Sequence, residues 1–379
     1  MFKELKVLEL ASVLAGPSVG QFFAELGAEV IKVENSKTGG DVTRTWKSAG
    51  EQTDDRSAYF CSVNWGKKSI ALDLTSIEGK HIVQQLAAQS DIVIASYKPG
   101  DAEKLGVAYE QLITINQNLI YGQITGYGSN DARVGYDAVV QAEAGFMFMN
   151  GEPGGNSLKM PVALIDVLAG HQLKEGLLLA LLNKERVGKG CLVEVSLLQT
   201  ALASLANQSS NYLVAGKIPQ KQGSAHPNIA PYGDVFVTQD KKEVLLAVGN
   251  DAQFKALCEL LGSGQIGAMP QFASNEARVV NRALLQGLLQ QTIGQWQSEA
   301  LMPELHKRKI PAGIIQTIQQ AFEMTPAKEI MMEHSDRKGV KTFVANFLTS
   351  DFQPLMATLT PPPHIGEHTQ EVLRALRIS

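Results

Sequence analysis

Short apolar segments alternate with longer segments of helical periodicity through the first half of this 379-residue chain. Short runs rich in Val, Ile and Leu predict strands, and apolar residues spaced three and four apart predict helices. Strands are predicted at 5–10, 29–34, 69–73, 91–96, 119–125 and 192–196, and helices at 19–26, 76–89 and 163–182. Strands that alternate with helices favour a parallel α/β sheet.

The pattern of the sequence changes after residue 214. The stretch 215–225 is polar, contains Gly, Lys, Gln, Pro and Ser, and is typical of a linker. Two short strands at 234–236 and 243–248 predict a hairpin, and helical segments continue to about residue 305. We therefore expect a smaller α+β domain over residues 232–316, with a last helix at 369–376.

Composition limits the partners of the chain. Hydrophobic residues make up 44% and charged residues 19% of the chain, which is typical of a soluble globular enzyme. The formal net charge of -4 offers no basic surplus for nucleic acid. Cys61, Cys191 and Cys258 lack CxxC spacing and the histidines lack metal-ligand spacing, so neither disulfides nor a metal is expected. With no signal peptide or membrane span predicted, we expect a cytoplasmic protein.

One carboxylate, Asp166, stands within the apolar run 163–182. An ionised carboxylate is costly in such a setting unless it is hydrogen-bonded, paired or solvated in a functional cleft. The structural alternative is an N-cap that accepts backbone N–H bonds at the start of a helix. Both interpretations are compatible, because a helix N-terminus favours an anion and keeps it nucleophilic.

The turn after the first predicted strand, residues 11–17, contains a single Gly-Pro pair. It lacks the GxGxxG and GxxxxGK[ST] patterns of dinucleotide and P-loop sites. It still offers backbone N–H groups and a helix N-terminus at the carboxyl ends of the strands, where open α/β sheets bind ligands. A phosphate group or a developing thiolate would suit this position.

Several segments resemble the motifs of a known family, in that family's order. Val7–Pro17, Leu26–Glu34, Gly40–Arg44, Lys67–Asp73 and Lys98–Gly100 resemble the successive N-terminal motifs of family III CoA-transferases, the CaiB/BaiF family. Later family-like segments lie at 126–128, 135–137, 188–196, 226–232, 247–251, 310–313 and 366–369. The resemblance extends along the chain to the last predicted helix.

The resemblance implies a Rossmann-like large domain over 1–214, a linker over 215–231, the small α+β domain over 232–316, and a C-terminal part over 317–379 that returns to the large domain. It also implies an interlocked homodimer. The implied activity moves coenzyme A from an acyl-CoA donor to a carboxylic acid acceptor. Asp166 takes the catalytic position and would form an aspartyl anhydride and then an aspartyl-CoA thioester. Coenzyme A is a substrate here, and no permanently bound cofactor is implied.

The resemblance further implies the contacts to coenzyme A. Main-chain contacts are expected at Val13, Leu14, Ala15 and Leu72, and contacts to the nucleotide end at Ser96, Tyr97, Lys98 and Lys104. Lys37 and Arg44 are candidates for the 3′-phosphate, with surface solvation as the alternative for both; Arg133 and Asp137 are placed in the site. Backbone N–H groups near residues 15–17 are expected to stabilise the oxyanion.

Two alternatives to CoA transfer share this fold. A 2-methylacyl-CoA racemase would use a His and Asp pair, but Tyr136 stands before Asp137, and the ordinary pKa of tyrosine near 10 suits a base poorly at neutral pH. A non-catalytic CoA-binding protein would have no reason to keep Asp166. No pattern separates carnitine-type, formyl or oxalate, dicarboxylate, and bile-acid or aromatic substrates, although the absence of a long glycine-rich loop disfavours oxalate.

Overall fold

The computed structural model describes residues 2–334, 337–345 and 359–377. The chain divides into two compact units by spatial clustering of its Cα atoms. The large unit comprises residues 1–145, 160–209 and 329–379, and the small unit comprises residues 146–159 and 210–328. The polypeptide therefore leaves the large unit and returns to it twice.

The large unit contains a six-stranded sheet in which every neighbouring pair of strands is parallel. Its strands are β1 (Lys6–Leu10), β2 (Glu29–Asn35), β3 (Lys67–Leu72), β4 (Ile92–Ala95), β5 (Ile120–Thr125) and β6 (Leu192–Ser196). All six coincide with predicted strands to within two residues. The spatial order β3-β2-β1-β4-β5-β6 is that of a doubly wound fold, whose strand order reverses between β1 and β4.

The helices of the large unit cover the sheet. They are α1 (Ala15–Glu25), α2 (Ala58–Cys61), α3 (Ile77–Ala88), α4 (Asp101–Leu105), α5 (Tyr109–Leu112), α6 (Asp137–Glu143), α8 (Leu164–Val187), α9 (Leu197–Ala203) and α18 (Thr369–Ala375), with a 3-10 turn at Val42–Thr45. Helix α1 begins four residues earlier than predicted, because Pro17 is tolerated in the first turn of a helix. Helix α8 extends to Val187, and Gly188 with a φ of 69° forms the left-handed cap that ends it.

Helices α1 and α8 pack closely beside the sheet. At Gly170 of α8, an added Cβ would lie 2.4 Å from Ser18 Oγ and 3.2 Å from the Ala15 carbonyl oxygen, so only glycine permits this approach. Asp166 precedes Gly170 by four residues, and residues four apart share one helix face. The close contact therefore places Asp166 on the face of α8 that meets the first turns of α1.

The small unit combines an antiparallel sheet with short helices. Its strands β7 (Tyr232–Val237), β8 (Glu243–Ala247) and β9 (Ala312–Ile314) pair in that order, and β7 and β8 form the predicted hairpin. Its helices are α7 (Phe146–Met149), α11 (Asp251–Leu260), α12 (Gly264–Ala268), α13 (Asn275–Val280), α14 (Arg282–Ile293), α15 (Ser298–Lys307) and α16 (Ile318–Glu323), with a 3-10 turn at Pro270–Phe272. Phe236, Leu246, Leu289 and Leu301 are fully buried members of its core.

Four elements complete the described chain. Helices α10 (Asn207–Leu213) and α17 (Thr325–Ile330) cross the boundaries between the two units, and β10 (Met331–His334) and β11 (Arg337–Val340) form an antiparallel hairpin in the large unit. Within the described ranges, no helix has the length and apolar character needed to cross a bilayer.

Candidate active site

A cavity of about 290 Å³ opens at the carboxyl ends of β1, β4 and β5 in the large unit. Its wall includes the turn 12–16 after β1, residues 96–98 and Asp101 after β4, residues 124–126 at the end of β5, residues 133–137, Asp166 and Leu197. This is the edge of the sheet where the strand order reverses, the position at which doubly wound folds bind ligands.

Asp166 forms part of the cavity wall and is 8% exposed. It lies in the first turn of α8, whose N-cap is Ala163, so the prediction that Asp166 is itself the N-cap is wrong. The helix begins at Leu164, before Asp166. Burial raises the pKa of Asp166 to about 7, and the nearby Asp137 carboxylate adds to the rise. The site therefore contains a buried carboxyl group that holds its proton much more tightly than an ordinary aspartate does.

Asp137 performs the capping role that was predicted for Asp166. Its Oδ1 accepts a hydrogen bond from the Ile165 N–H at 2.7 Å, and its Oδ2 accepts one from Gln141 Nε2 at 2.7 Å. Gln141 Oε1 in turn accepts the Met160 N–H at 2.8 Å. These bonds hold the start of α8 and keep a second carboxylate close to Asp166.

Tyr59 was not predicted from the sequence as a residue near the site. It lies on the short helix α2, half-buried, and packs edge-on against Trp46 with ring centroids 5.3 Å apart. Burial raises the pKa of Tyr59, and the carboxylates of Asp166, Asp137 and Asp41 add to the rise. The Tyr59 phenol therefore keeps its proton and lies close enough to these acids to feel their negative charge. Nothing in the local sequence of α2 predicts that Tyr59 lies near the site.

The turn 12–16 has an uncommon backbone conformation at Val13, whose φ is 73°. A β-branched residue in the left-handed region is strained, at a cost of roughly 1–3 kcal/mol. The Val13 N–H faces both carboxylate oxygens of Asp41, at 3.3 Å each. Beyond this residue, α1 starts at Ala15 without a side-chain cap, so its first N–H groups stay available at the cavity.

The structure brings most of the predicted site residues to this one cavity. Those in its wall are Val13, Leu14, Ala15, Ser96, Tyr97, Lys98, Arg133, Asp137 and Asp166. Lys98 lies 3.4 Å from Asp101, and the Arg133 guanidinium stacks 3.8 Å from the centroid of the Tyr127 ring. Two cationic side chains, Lys98 and Arg133, thus stand in the same wall as Asp137 and Asp166.

Three predicted contact residues lie outside the cavity wall. Lys37 is exposed and pairs with Asp73 at 2.8 Å, and Lys104 is exposed and lies 3.2 Å from an Asp101 oxygen. Leu72 is 7% exposed and belongs to the core of the sheet, which leaves only its main chain for a ligand.

Arg44 is placed differently from both predictions made for it. It is 3% exposed, donates to both oxygens of Glu34 at 2.6 and 2.7 Å, and stacks on the Phe60 ring at 3.8 Å. It is neither a solvated surface residue nor free to meet a phosphate, because its guanidinium is held by these partners.

One group in the described part of the chain has metal-like spacing. Ligand atoms of Asp54, Asp55 and His364 lie within 4.8 Å of one another. Asp54 is paired with Arg56 and Arg337, however, and Asp55 with Arg44 and His364. Because the carboxylates already have cationic partners, the arrangement favours a structural ion-pair cluster over a metal site.

The doubly wound sheet and its acid-containing cavity are typical of α/β enzymes that bind their substrate where the strand order reverses. The sequence matches the family described as CoA-transferase family III over residues 2–369, and the chain belongs to that family.

Two named relatives and one solved structure agree with the family. The chain is 37% identical to the succinate–glutarate CoA-transferase of Agrobacterium fabrum, with 98% of this chain and 94% of the relative covered. It is 32% identical to the human succinyl-CoA:glutarate CoA-transferase, with 98% and 84% covered. A crystal structure of a CaiB/BaiF family protein from Brucella suis superimposes with a TM-score of 0.85 at 39% identity and covers 98% of each chain. The protein is thus a CoA-transferase that moves CoA between an acyl-CoA and a carboxylic acid.

Proposed function

We propose that Asp166 is the nucleophile of this CoA-transferase. The observation that carries the proposal is a buried aspartate in the wall of the cavity at the strand reversal, beside the open N-terminus of α1. Among the described residues of that wall, no other buried carboxylate is free to react, because both oxygens of Asp137 accept hydrogen bonds from Ile165 and Gln141. The family resemblance assigns the same residue.

The proposed chemistry has four steps. The Asp166 carboxylate attacks the thioester carbonyl of the donor and expels CoA thiolate, which leaves an acyl-aspartyl anhydride. The thiolate then attacks the Asp166 carbonyl, giving an aspartyl-CoA thioester and the donor acid. The acceptor carboxylate attacks this thioester, expels CoA thiolate and forms a new anhydride with Asp166. The thiolate finally attacks the acceptor's carbonyl, which gives the acceptor's CoA thioester and releases the Asp166 carboxylate. Each step exchanges one acyl bond for another, so covalent catalysis divides the reaction into reversible stages.

The environment of Asp166 suits a nucleophile. A carboxylate that is poorly solvated and whose pKa is raised to about 7 is more basic than an ordinary aspartate, and it remains accessible in its ionised form near neutral pH. The N-terminal ends of α1 and α8 favour negative charge in the cavity. We assign the N–H groups of Ala15 and Gly16 to stabilise the oxyanions of the tetrahedral intermediates.

The remaining residues are proposed as contacts to coenzyme A. Val13, Leu14 and Ala15 offer main-chain groups, and Ser96, Tyr97 and Lys98 lie where the pyrophosphate and nucleotide would leave the cavity, with Arg133 as a second cation. Lys37, Lys104 and the main chain of Leu72 lie outside the cavity wall and would meet only the nucleotide portion beyond it.

We propose a short dicarboxylic acid as acceptor and succinyl-CoA as donor, on the basis of the relatives named for succinate and glutarate.

A cytoplasmic, interlocked homodimer is also proposed. Helices α8 and α9 expose Leu178, Leu179, Leu182 and Leu202, and Leu179 is 68% exposed. Exposed apolar side chains grouped along a helix are typical of a protein interface.

Helix α18 supports the proposal that the C-terminal part returns to a Rossmann-like large domain. The Ala71 N–H of β3 donates to Thr369 Oγ1 at 3.0 Å, and the His368 N–H donates to the Ser69 carbonyl oxygen at 2.9 Å. The segment 359–377 therefore contacts the edge strand of the large sheet.

The test is an assay of CoA-ester exchange by liquid chromatography, with succinyl-CoA as donor and glutarate, oxalate and acetate as acceptors. Asp166→Asn should lower kcat on the order of 10⁴-fold or more. The matched control is Asp101→Asn, which removes another aspartate from the same wall and should change mainly the KM for acyl-CoA. Retained turnover in Asp166→Asn, or deuterium exchange at the α-carbon of a 2-methylacyl-CoA without transfer to any acid, would contradict the proposal.

A further inference from the structure

Three of the sequence motifs contribute no residue to the cavity, although each contains at least one buried charged side chain. Glu9, Lys32, Asp41 and Lys67 are between 0% and 4% exposed and together form the buried charge cluster. The last three come from the motifs at 26–34, 40–44 and 67–73. Buried charges are costly unless fully paired, so the cluster needs an explanation beyond packing.

Lys32 connects the cluster to the end of β1. Its ammonium nitrogen lies 2.9 Å from Glu9 Oε1, 2.9 Å from Asp41 Oδ2 and 2.8 Å from the Ala11 carbonyl oxygen. An ammonium group has three N–H donors, so all of them are used. Burial disfavours the charged form, but Asp41 and Glu9 outweigh it and raise the pKa of Lys32.

Lys67 makes the corresponding connection to α1. Its ammonium nitrogen lies 2.7 Å from Glu9 Oε2, 2.9 Å from Asn64 Oδ1 and 2.8 Å from the Pro17 carbonyl oxygen. With two carboxylates and two ammonium groups the cluster is electrically neutral. The two lysines thus fix the backbone carbonyls on either side of the turn 12–16.

Asp41 fixes the middle of the same turn. Its carboxylate accepts the Val13 N–H at 3.3 Å and is itself held by Lys32 and by the Thr43 N–H at 3.0 Å. Without this acceptor, a valine would relax from a φ of 73° toward the β region, where its side chain is unstrained. The next residues of the turn are those that line the cavity and begin α1.

We propose that Asp41 is a positioning residue for CoA transfer, which holds Val13 in the left-handed conformation so that the N–H groups of Ala15 and Gly16 are fixed at the cavity. The inference rests on the proposed role of those N–H groups in stabilising the oxyanion. Asp41 touches no reacting atom and acts entirely through the turn. The charge cluster beneath the turn serves as its rigid support.

The test is a double-mutant cycle between Asp41→Ala and Val13→Gly, because glycine adopts positive φ without strain. In the Val13 background, Asp41→Ala should lower kcat on the order of 100-fold, as expected when a catalytic group shifts by about 1 Å. In the Val13→Gly background the same substitution should cost at least about fivefold less. A purely structural role would lower thermal stability equally in both backgrounds and leave the two losses in kcat equal, which would overturn the proposal.

Two further measurements keep the result decisive. If Asp41→Ala does not yield folded protein, Asp41→Asn is measured in the Val13 background instead. Asn retains an acceptor for the Val13 N–H and loses only the charge that Lys32 pairs with, so kcat should stay within about fivefold of the wild type, and a loss of about 100-fold would overturn the proposal. Formation of the Asp166 adduct is measured in the wild-type protein in parallel. Failure of adduct formation there refutes the proposed nucleophile, whereas an adduct together with equal losses in both backgrounds refutes only the role of Asp41.

Discussion

The raised pKa of Asp166 predicts that ionisation of this proposed nucleophile destabilises the folded protein. In the folded state the carboxyl group binds its proton more tightly than in the unfolded chain, so its contribution to stability is greatest below the unfolded pKa of 3.8 and is lost as pH rises toward about 7. Asp166→Asn is nearly isosteric and cannot ionise. The variant should therefore become more stable relative to the wild type as pH increases.

The magnitude follows from the two pKa values. A change from 3.8 to about 7 corresponds to about 4 kcal/mol when the group is fully ionised, at about 1.4 kcal/mol for each tenfold change in proton affinity. About 2 kcal/mol of this loss falls between about pH 5.5 and about pH 8.5. For a chain of 379 residues, whose unfolding entropy is about 0.8 kcal/mol/K, that difference corresponds to a change of about 2–3 °C in the relative Tm.

The assay is thermal unfolding of the wild type and of Asp166→Asn by differential scanning calorimetry across that pH range. Asp131→Asn is the control. Hydrogen bonding from the Arg133 N–H lowers the pKa of Asp131, so this carboxylate is ionised in both the folded and the unfolded protein throughout the pH range. The difference in Tm between wild type and control should stay constant. Parallel Tm curves for wild type and Asp166→Asn would refute the inference that Asp166 is held in a destabilising environment.

Two other predictions concern the neighbour of Asp166 and the packing against the buried charge cluster. Asp137→Asn should move the acidic limb of the kcat/KM profile below pH 7, because the Asp137 charge adds to the raised pKa of Asp166 while burial remains; an unchanged limb would contradict this. Gly20→Ala should lower the free energy of unfolding by about 1–3 kcal/mol, since its Cβ would stand 1.9 Å from Glu9 Oε2. Gly287→Ala, at a helical site with no atom within 4 Å of the new Cβ, should instead be neutral or stabilising by up to about 1 kcal/mol in the same chemical denaturation series.

The large sheet was predictable because its strands are short and apolar and are separated by helices and turns. Strand β4 (Ile92–Ala95) is buried throughout, and such a run has no polar face to confuse with a surface helix. The hairpin of β10 and β11 was not predicted, since Met331–His334 and Arg337–Val340 include charged residues and lack the alternation of a half-buried strand. Local periodicity therefore identified the buried elements and missed the polar ones.

The site was predictable only where a residue conflicts with its immediate neighbours. Asp166 is conspicuous as a charge in an apolar run, whereas Lys32 and Asp41 look like ordinary polar residues in sequence. Their roles depend on partners far along the chain, such as the contact between Lys32 and Glu9 at 2.9 Å. The N-cap prediction for Asp166 failed for the same reason, because the cap is provided by Asp137 from another helix.

The most direct test of the central claim is to trap the covalent intermediate. The protein is incubated with succinyl-CoA, treated with borohydride, which reduces an aspartyl thioester to an alcohol, and then digested and mapped by mass spectrometry. The proposal predicts a reduced side chain at Asp166 that is absent without donor and absent in Asp166→Ala. If CoA transfer proceeds at full rate while no modification appears at Asp166, or the modification maps to another carboxylate, the proposed mechanism is wrong.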